Sequence, residues 1–177
     1  MFDDKKICWF AIRVSYGRVM KLSAWLEEAG IEHFVPMARK TVVKDGREVT
    51  MTVPAVSNLC FVHSSKSVLD AFIASLGENR PVHYIWDKAT RNPIVVADKA
   101  MSDFIQISRA MSDDVLYLKD ITAKLKAGRK VRVLEGPFKG VEGVVLRVKR
   151  SRRVIVDFHG LLAVATTYVN PSDLELL

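Results

Sequence analysis

The chain has 177 residues, 49% of them hydrophobic, so it is long enough for one substantial core or two small ones. Its formal charge of +7 permits contact with phosphate-rich partners without demonstrating it. The apolar runs end far short of the roughly 20 residues that a bilayer span requires, and the N-terminus begins acidic, unlike a signal peptide. Together these features argue against a disordered tail and predict a soluble, cytoplasmic protein.

The first half of the chain mixes strand and helix patterns. The predicted elements are a strand at 9–14, a helix at 18–29, a hairpin around Asp45-Gly46, a strand at 58–63, a helix at 66–76, an extended segment at 81–87 and a helix from about Asp98. The order is not a strict alternation of strand and helix, so it predicts an α+β fold with an antiparallel sheet. Cys8 and Cys60 lie in strand-like runs and are expected to be small buried hydrophobic residues.

The second half changes character. Residues 112–127 lack firm periodicity and are predicted to be a linker, with a short helix inside it left open. Beyond Gly128 five short strand patterns follow, at about 129–135, 141–149, 152–158, 161–169 and 173–177. Such close spacing favours a small barrel. The predicted domains are therefore 1–111 and 128–177, joined by the linker.

Turn residues are concentrated in "EGPFKGVEG", which follows the first of these strands. Gly136 and Pro137 bend the chain, Phe138 lies on the turn, Gly140 completes it, and Gly143 indicates a bulge or a close backbone approach. Two interpretations stay open: Phe138 closes one end of the barrel, or the turn docks a partner.

Basic residues are concentrated in "RVKRSRR", residues 147–153. This segment is either a solvated hairpin tip or a nucleic-acid contact made by Arg150, Arg152 and Arg153. No Ser/His/Asp grouping, phosphate loop or metal-ligand spacing occurs, and the four histidines are scattered. We therefore expect no enzyme, no catalytic residue, no metal site and no cofactor.

Two stretches carry a resemblance to a known family. "GRKVRVLEGPFKGVEGVV", from Gly128, resembles the KOW motif, while "WFAIRVSYGRVMKLSAWLEEAG" and "VPAVSNLCFVH" resemble parts of an NGN domain. From Trp9 to Leu177 the chain is similar to the NusG family of transcription elongation factors. The resemblance implies an α+β NGN domain followed by a small all-β, SH3-like KOW barrel.

The resemblance also implies a function. NGN domains bind the clamp helices of RNA polymerase and suppress pausing and termination. By position, Val56, Leu59 and Phe61 match the docking segment, and Trp9 and Phe10 lie on the adjacent strand. Their other interpretation is plain sheet core. Because side chains alternate along a strand, only one face can serve the polymerase, and Leu59 and Phe61 share that parity.

One departure favours a specialised member of the family. Ser57-Asn58-Leu59 stands where housekeeping members usually show Pro-Gly-Tyr, which resembles paralogues of the RfaH and UpxY kind that act on particular long operons, including surface polysaccharide loci. In such paralogues the start of the first helix faces the non-template DNA strand, and Tyr16, Arg18 and Lys21 match that region. An ordinary basic helix start explains these three residues equally well.

For the KOW domain the resemblance implies docking on a ribosomal protein or termination factor, through Gly136, Pro137, Phe138 and Gly140. In some paralogues this domain masks the polymerase face until recruitment. Residues 128–177 alternate as strands, so no all-helical alternative state is expected. The protein is expected to be a monomer. The alternative function is that of an RNA-binding or ribosome-associated KOW protein without polymerase dependence.

Overall fold

The structure is a computed structural model that describes residues 3–77, 82–110, 116–118, 128–148, 150–158 and 162–177. By its internal contacts the chain divides into two compact units, Met1–Asp98 and Lys99–Leu177. The division falls after the first residue of the third helix, whereas the sequence placed that helix in the first domain. The predicted boundaries at 111 and 128 stay a prediction.

The first unit is an α+β domain, as predicted. Its elements are β1 (Ile7–Val14), a short 3₁₀ turn (Ser15–Gly17), α1 (Val19–Glu28), β2 (Glu32–Phe34), β3 (Met37–Lys44), β4 (Arg47–Pro54), β5 (Leu59–Ser65), α2 (Lys66–Ser75), β6 (Val82–Tyr84) and β7 (Val95–Val96). The main sheet has the order β2-β5-β1-β6, with β7 also paired to β1, and every pairing is antiparallel. β3 and β4 form a separate hairpin.

Helices α1 and α2 pack on one face of the main sheet. The even-numbered residues of β1 and β5 point to this face, because successive side chains of a strand alternate. The core cluster there consists of Cys8, Phe10, Ile12, Val14, Val19, Leu22, Leu26, Val35, Cys60, Val62, Leu69, Ile73 and Val82. Both cysteines are free thiols and are buried, which confirms the expectation for them.

The predicted hairpin turn and the predicted second helix are both present in this unit. Asp45 and Gly46 have φ values of 52° and 75°, as the type I′ hairpin turn requires, so that prediction is confirmed. Val68 of α2 is 52% exposed. The buried stripe of α2 runs through Leu69 and Ile73, one helical turn apart, and leaves Val68 at its edge.

The second unit contains one helix and a six-stranded antiparallel sheet. Its elements are α3 (Asp98–Arg109), β8 (Leu116–Leu118), β9 (Arg129–Val133), β10 (Glu142–Val148), β11 (Ser151–Phe158), β12 (Leu162–Ala165), a 3₁₀ turn (Pro171–Asp173) and β13 (Leu174–Leu176). The sheet order is β13-β9-β10-β11-β12-β8. The third helix and the five strands beyond Gly128 are confirmed, and the KOW region is all-β.

β8 corrects the linker prediction. The sequence suggested an irregular segment or a short helix at 112–127, but Leu116–Leu118 pairs with β12, with Tyr117 opposite Val164. Three residues are too few to show a period, and the hydrogen bonds that make them a strand come from a partner 47 positions further on. The rest of the predicted linker lies outside the described residues.

Candidate functional site

The main sheet of the first unit carries apolar side chains on its second face as well. Trp9 and Ala11 of β1 and Leu59 and Phe61 of β5 have odd numbers, so they point away from the face that packs on α1 and α2. Ala11 lies opposite Phe61 in the pairing of the two strands. All four are buried, with exposures between 0 and 6%. Leu59 and Phe61 therefore share a face, as their parity predicted, and Trp9 joins them.

A polar group borders this second face. The ring of Trp9 stacks on His63 at a centroid distance of 4.8 Å and an interplanar angle of 15°. His63 Nδ1 in turn lies 2.6 Å from a carboxylate oxygen of Glu32 on β2. The stack holds the indole in one orientation, so the second face combines rigid aromatic and aliphatic side chains with a polar edge.

Phe10 requires a correction. It was predicted to contact the polymerase alongside Trp9, but it lies on the opposite face of the sheet, in the cluster beneath α1 and α2, where its ring meets Tyr84 edge-on at 5.5 Å. Neighbouring residues of a strand face opposite ways, so Trp9 and Phe10 cannot serve the same surface. Val56 lies in the half-buried segment before β5, where its carbonyl accepts a hydrogen bond from Leu59 N–H. Its role stays a prediction.

The start of α1 presents two exposed basic side chains. Arg18 is the N-terminal cap residue of α1, and Lys21 lies within its first turn. Lys21 Nζ lies 4.9 Å from the ring centroid of Trp25, a cation-π contact that the sequence analysis missed although the two residues are four apart on a helix. Tyr16 belongs to the 3₁₀ turn, and its side chain lies outside the described residues.

The predicted docking turn of the KOW region is tightly folded. Gly136 and Gly140 have φ values of 80° and 84°, and Gly140 N–H donates to the carbonyl of Val133 at 2.8 Å. Phe138 is only 3% exposed. Its ring is therefore part of the interior, which favours the first of the two interpretations offered for it.

Helix α3 lies directly on this turn. Lys99 Nζ donates to the carbonyl of Gly140 at 2.7 Å, and Gln106 Nε2 donates to the carbonyls of Pro137 and Lys139 at 3.0 and 3.3 Å. The buried carboxylate of Asp103 accepts from the Glu142 N–H at 3.0 Å and from Lys99 Nζ at 2.5 and 2.6 Å.

The contacts of α3 have a regular spacing. Lys99, Asp103 and Gln106 follow one another at four and three residues, so they occupy one stripe of the helix. This spacing was the only signal in the sequence, and it does not reveal what the stripe meets.

The basic hairpin between β10 and β11 separates its arginines. Arg150 and Arg152 are exposed, and Arg150 has a φ of 66° in the turn. Arg153 is 6% exposed, and its guanidinium donates to the carbonyl of Thr166 at 2.8 Å. Arg153 therefore points to the face opposite Arg152, because adjacent residues of β11 alternate, and its contact with nucleic acid stays a prediction.

Packing raises the pKa of titratable groups in the first unit. Burial raises the pKa of the Cys60 thiol to about 12, so it stays protonated and unreactive. Burial, reinforced by a 2.8 Å hydrogen bond to Asp70, raises the pKa of Tyr84. Among the described residues, no three His, Cys, Asp or Glu side chains are placed to hold a metal ion. No helix in the described ranges is long and apolar enough to cross a membrane.

Comparison with known proteins found a family match for each half of the chain. The family model described as "Transcription termination factor nusG" matches residues 7–105, more than half of the chain, and the KOW motif matches residues 127–157. A solved structure titled "Domain interaction in Thermotoga maritima NusG" is 17% identical, covers 98% of each chain and has a TM-score of 0.49. No curated protein sequence matches.

An α+β domain followed by an all-β KOW region defines a class of two-domain transcription factors. The chain belongs to the NusG family. Members of this family are non-enzymatic and work with RNA polymerase, so the general role of the chain lies in transcription elongation or antitermination.

Proposed function

We propose that the chain binds the clamp helices of RNA polymerase through the second face of its main sheet and thereby suppresses pausing and termination. The observation that carries the proposal is that face itself: Trp9, Leu59 and Phe61 lie together on the side of the sheet opposite α1 and α2. Aromatic and aliphatic anchors with a polar border are the composition of a protein-binding hot spot. Because these side chains are buried in the isolated chain, docking requires a rearrangement that exposes them.

Other parts of the proposal rest on position. Arg18 and Lys21 are exposed at the start of α1, where cations suit the phosphates of a single-stranded non-template DNA segment. The departure at Ser57-Asn58-Leu59 supports a specialised factor acting on particular long operons, such as surface polysaccharide loci. A cytoplasmic location and a ribosomal protein or termination factor as KOW partner complete the proposal.

The decisive experiment compares two variants of β5 in a pull-down of RNA polymerase. We expect the double substitution Leu59→Ala and Phe61→Ala to lower polymerase retention at least about tenfold, since hot-spot truncations commonly cost 2 kcal/mol or more each. Val62→Ala is the matched control, because Val62 is the next residue on β5 but packs beneath the helices. It should retain binding at temperatures where each variant is still folded, as checked by circular dichroism.

Equal retention by the double variant and by wild type would exclude this face as the docking surface. The same pull-down, scored for ribosomal proteins and RNA, tests the alternative of an RNA-binding or ribosome-associated protein. The exposed Arg150 and Arg152 are the observation that favours this alternative, and it predicts capture of RNA or ribosomal proteins without polymerase. Transcription of a terminator-bearing template, with and without the protein, then measures antitermination directly.

A further inference from the structure

A groove of about 470 Å³ lies on the KOW sheet among β9, β10, β11 and β13. Its apolar floor includes Val145, Leu174 and Leu176. Three exposed arginines, Arg129, Arg147 and Arg152, also line it. We call this site the arginine groove.

The arginines of the groove are brought together by the strand register. Arg147 and Arg152 lie directly opposite each other in the pairing of β10 with β11, and Arg129 lies opposite Val145, two residues from Arg147 on the same face. Directly opposite residues have Cβ atoms about 5 Å apart, and like charges in such a pair destabilise a sheet. The arrangement therefore carries an electrostatic cost that an anion bound between the two guanidinium groups would relieve.

On the other face of the same sheet, an arginine is paired with carboxylates. Arg132 on β9 donates to Glu142 at 2.9 Å and to Glu175 at 3.0 Å, and these carboxylates raise its pKa. Within the described part of the chain, Arg129, Arg147 and Arg152 have no carboxylate partner, and no residue lining the groove is acidic. The positive charge is thus balanced on one face and unbalanced on the other.

The floor of the groove indicates what kind of anion fits. Sites for single-stranded nucleic acid stack bases on aromatic side chains, and none of the described residues lining this groove is aromatic. Valine, leucine and proline instead suit an aliphatic side chain, while paired guanidinium groups bind carboxylates in a bidentate manner. An acidic peptide with alternating carboxylate and leucine-like side chains complements both the arginines and the apolar floor of the groove.

We propose that the arginine groove binds an acidic, leucine-containing segment of a partner protein. The carboxylates bind Arg147, Arg152 and Arg129, and the aliphatic side chains contact Leu174 and Leu176. The proposal does not depend on the polymerase-docking face, because it rests on the KOW sheet alone.

The test is a titration of the full-length, ¹⁵N-labelled protein followed by NMR. The probe is acetyl-Glu-Leu-Asp-Leu-Glu-Leu-amide, compared with the same peptide carrying lysine in place of each acidic residue and with an oligouridine RNA. We expect the acidic peptide to shift the backbone amides of Arg129, Val145, Arg147, Arg152 and Leu176, and the lysine peptide to leave them unchanged.

Two variants locate the binding. Arg152→Glu should weaken the acidic peptide roughly tenfold or more, and it should not lower the unfolding midpoint, since it removes the repulsion with Arg147. Lys130→Glu is the matched control: Lys130 is exposed on β9, points away from the groove and should leave the affinity unchanged.

The proposal is wrong if the acidic peptide leaves these amides unshifted or if Lys130→Glu weakens binding as much as Arg152→Glu. Preferential binding of the oligouridine at the same amides would also overturn it, in favour of an RNA site.

Discussion

Gly143 shows how a neighbouring strand constrains a single position. A Cβ atom at this residue would lie 2.4 Å from the carbonyl oxygen of Ile155 on β11 and 2.9 Å from its carbonyl carbon. Both are backbone atoms, so they cannot rotate away as a side chain would. The close backbone approach predicted from the sequence is therefore confirmed.

Gly143→Ala should lower the free energy of unfolding by about 1–3 kcal/mol, because the added methyl group forces β10 and β11 apart. Urea denaturation monitored by circular dichroism measures the change. Lys130→Ala, an exposed substitution on the adjoining strand, is the control and should change stability by less than about 0.5 kcal/mol. An unaltered unfolding midpoint for Gly143→Ala would contradict the close approach.

At the scale of elements, helix α3 contacts the KOW turn through polar groups. α1 and α2 cover a sheet face with aliphatic side chains, whereas α3 binds the KOW turn through polar groups. Asp103 is central to the second contact, because its buried carboxylate accepts both a main-chain N–H and the Lys99 ammonium. The turn that the resemblance assigns to a partner is thus bonded to a helix of the same chain.

Asp103→Ala should loosen α3 from the turn. The substitution leaves the Glu142 N–H without its carboxylate, at a cost of about 1–3 kcal/mol. We expect faster hydrogen exchange at Glu142 and at neighbouring amides of the turn, measured by NMR, and a lower unfolding midpoint. Ser102→Ala, exposed on the same helix, is the control. Unchanged exchange in the Asp103 variant would show that the carboxylate does not hold the helix in place.

At the scale of the whole molecule, the family match and the internal contacts assign α3 to different parts of the chain. The NusG match runs through residue 105 and so includes most of this helix, while the internal contacts group it with the KOW sheet from Lys99 onward. β8 is a second element before residue 128 that belongs with the KOW region, because it extends the KOW sheet beyond β12. A boundary drawn from the sequence at 128 omits both.

A fragment spanning 99–177 should therefore be more stable than one spanning 128–177. The shorter fragment lacks the α3 hydrogen bonds and the strand that pairs with β12, and we expect its unfolding midpoint to be lower by several degrees, since 1 kcal/mol shifts a small domain by about 4–8 °C. Thermal unfolding of both fragments, followed by circular dichroism, makes the comparison. Equal midpoints would support the boundary drawn from the sequence.

The amino-acid sequence by itself determined the elements that local chemistry specifies. Positive φ at Asp45-Gly46, the apolar stripe of α1 and the alternation along β1 and β5 all depend on neighbours within a few residues. The KOW turn and the NGN segments were identified through their resemblance to a known family. Alternation also showed that Leu59 and Phe61 share a face.

Only the tertiary structure decided which face α1 and α2 cover, and hence that Phe10 packs beneath these helices while Trp9 lies on the opposite face. It also decided that Arg153 is buried, that Leu116–Leu118 is a strand and that Arg147 lies opposite Arg152. Each of these features depends on a contact with residues far away in the sequence. Side-chain burial and strand pairing are set by contacts between distant segments. The local periodicity of the sequence does not predict these contacts.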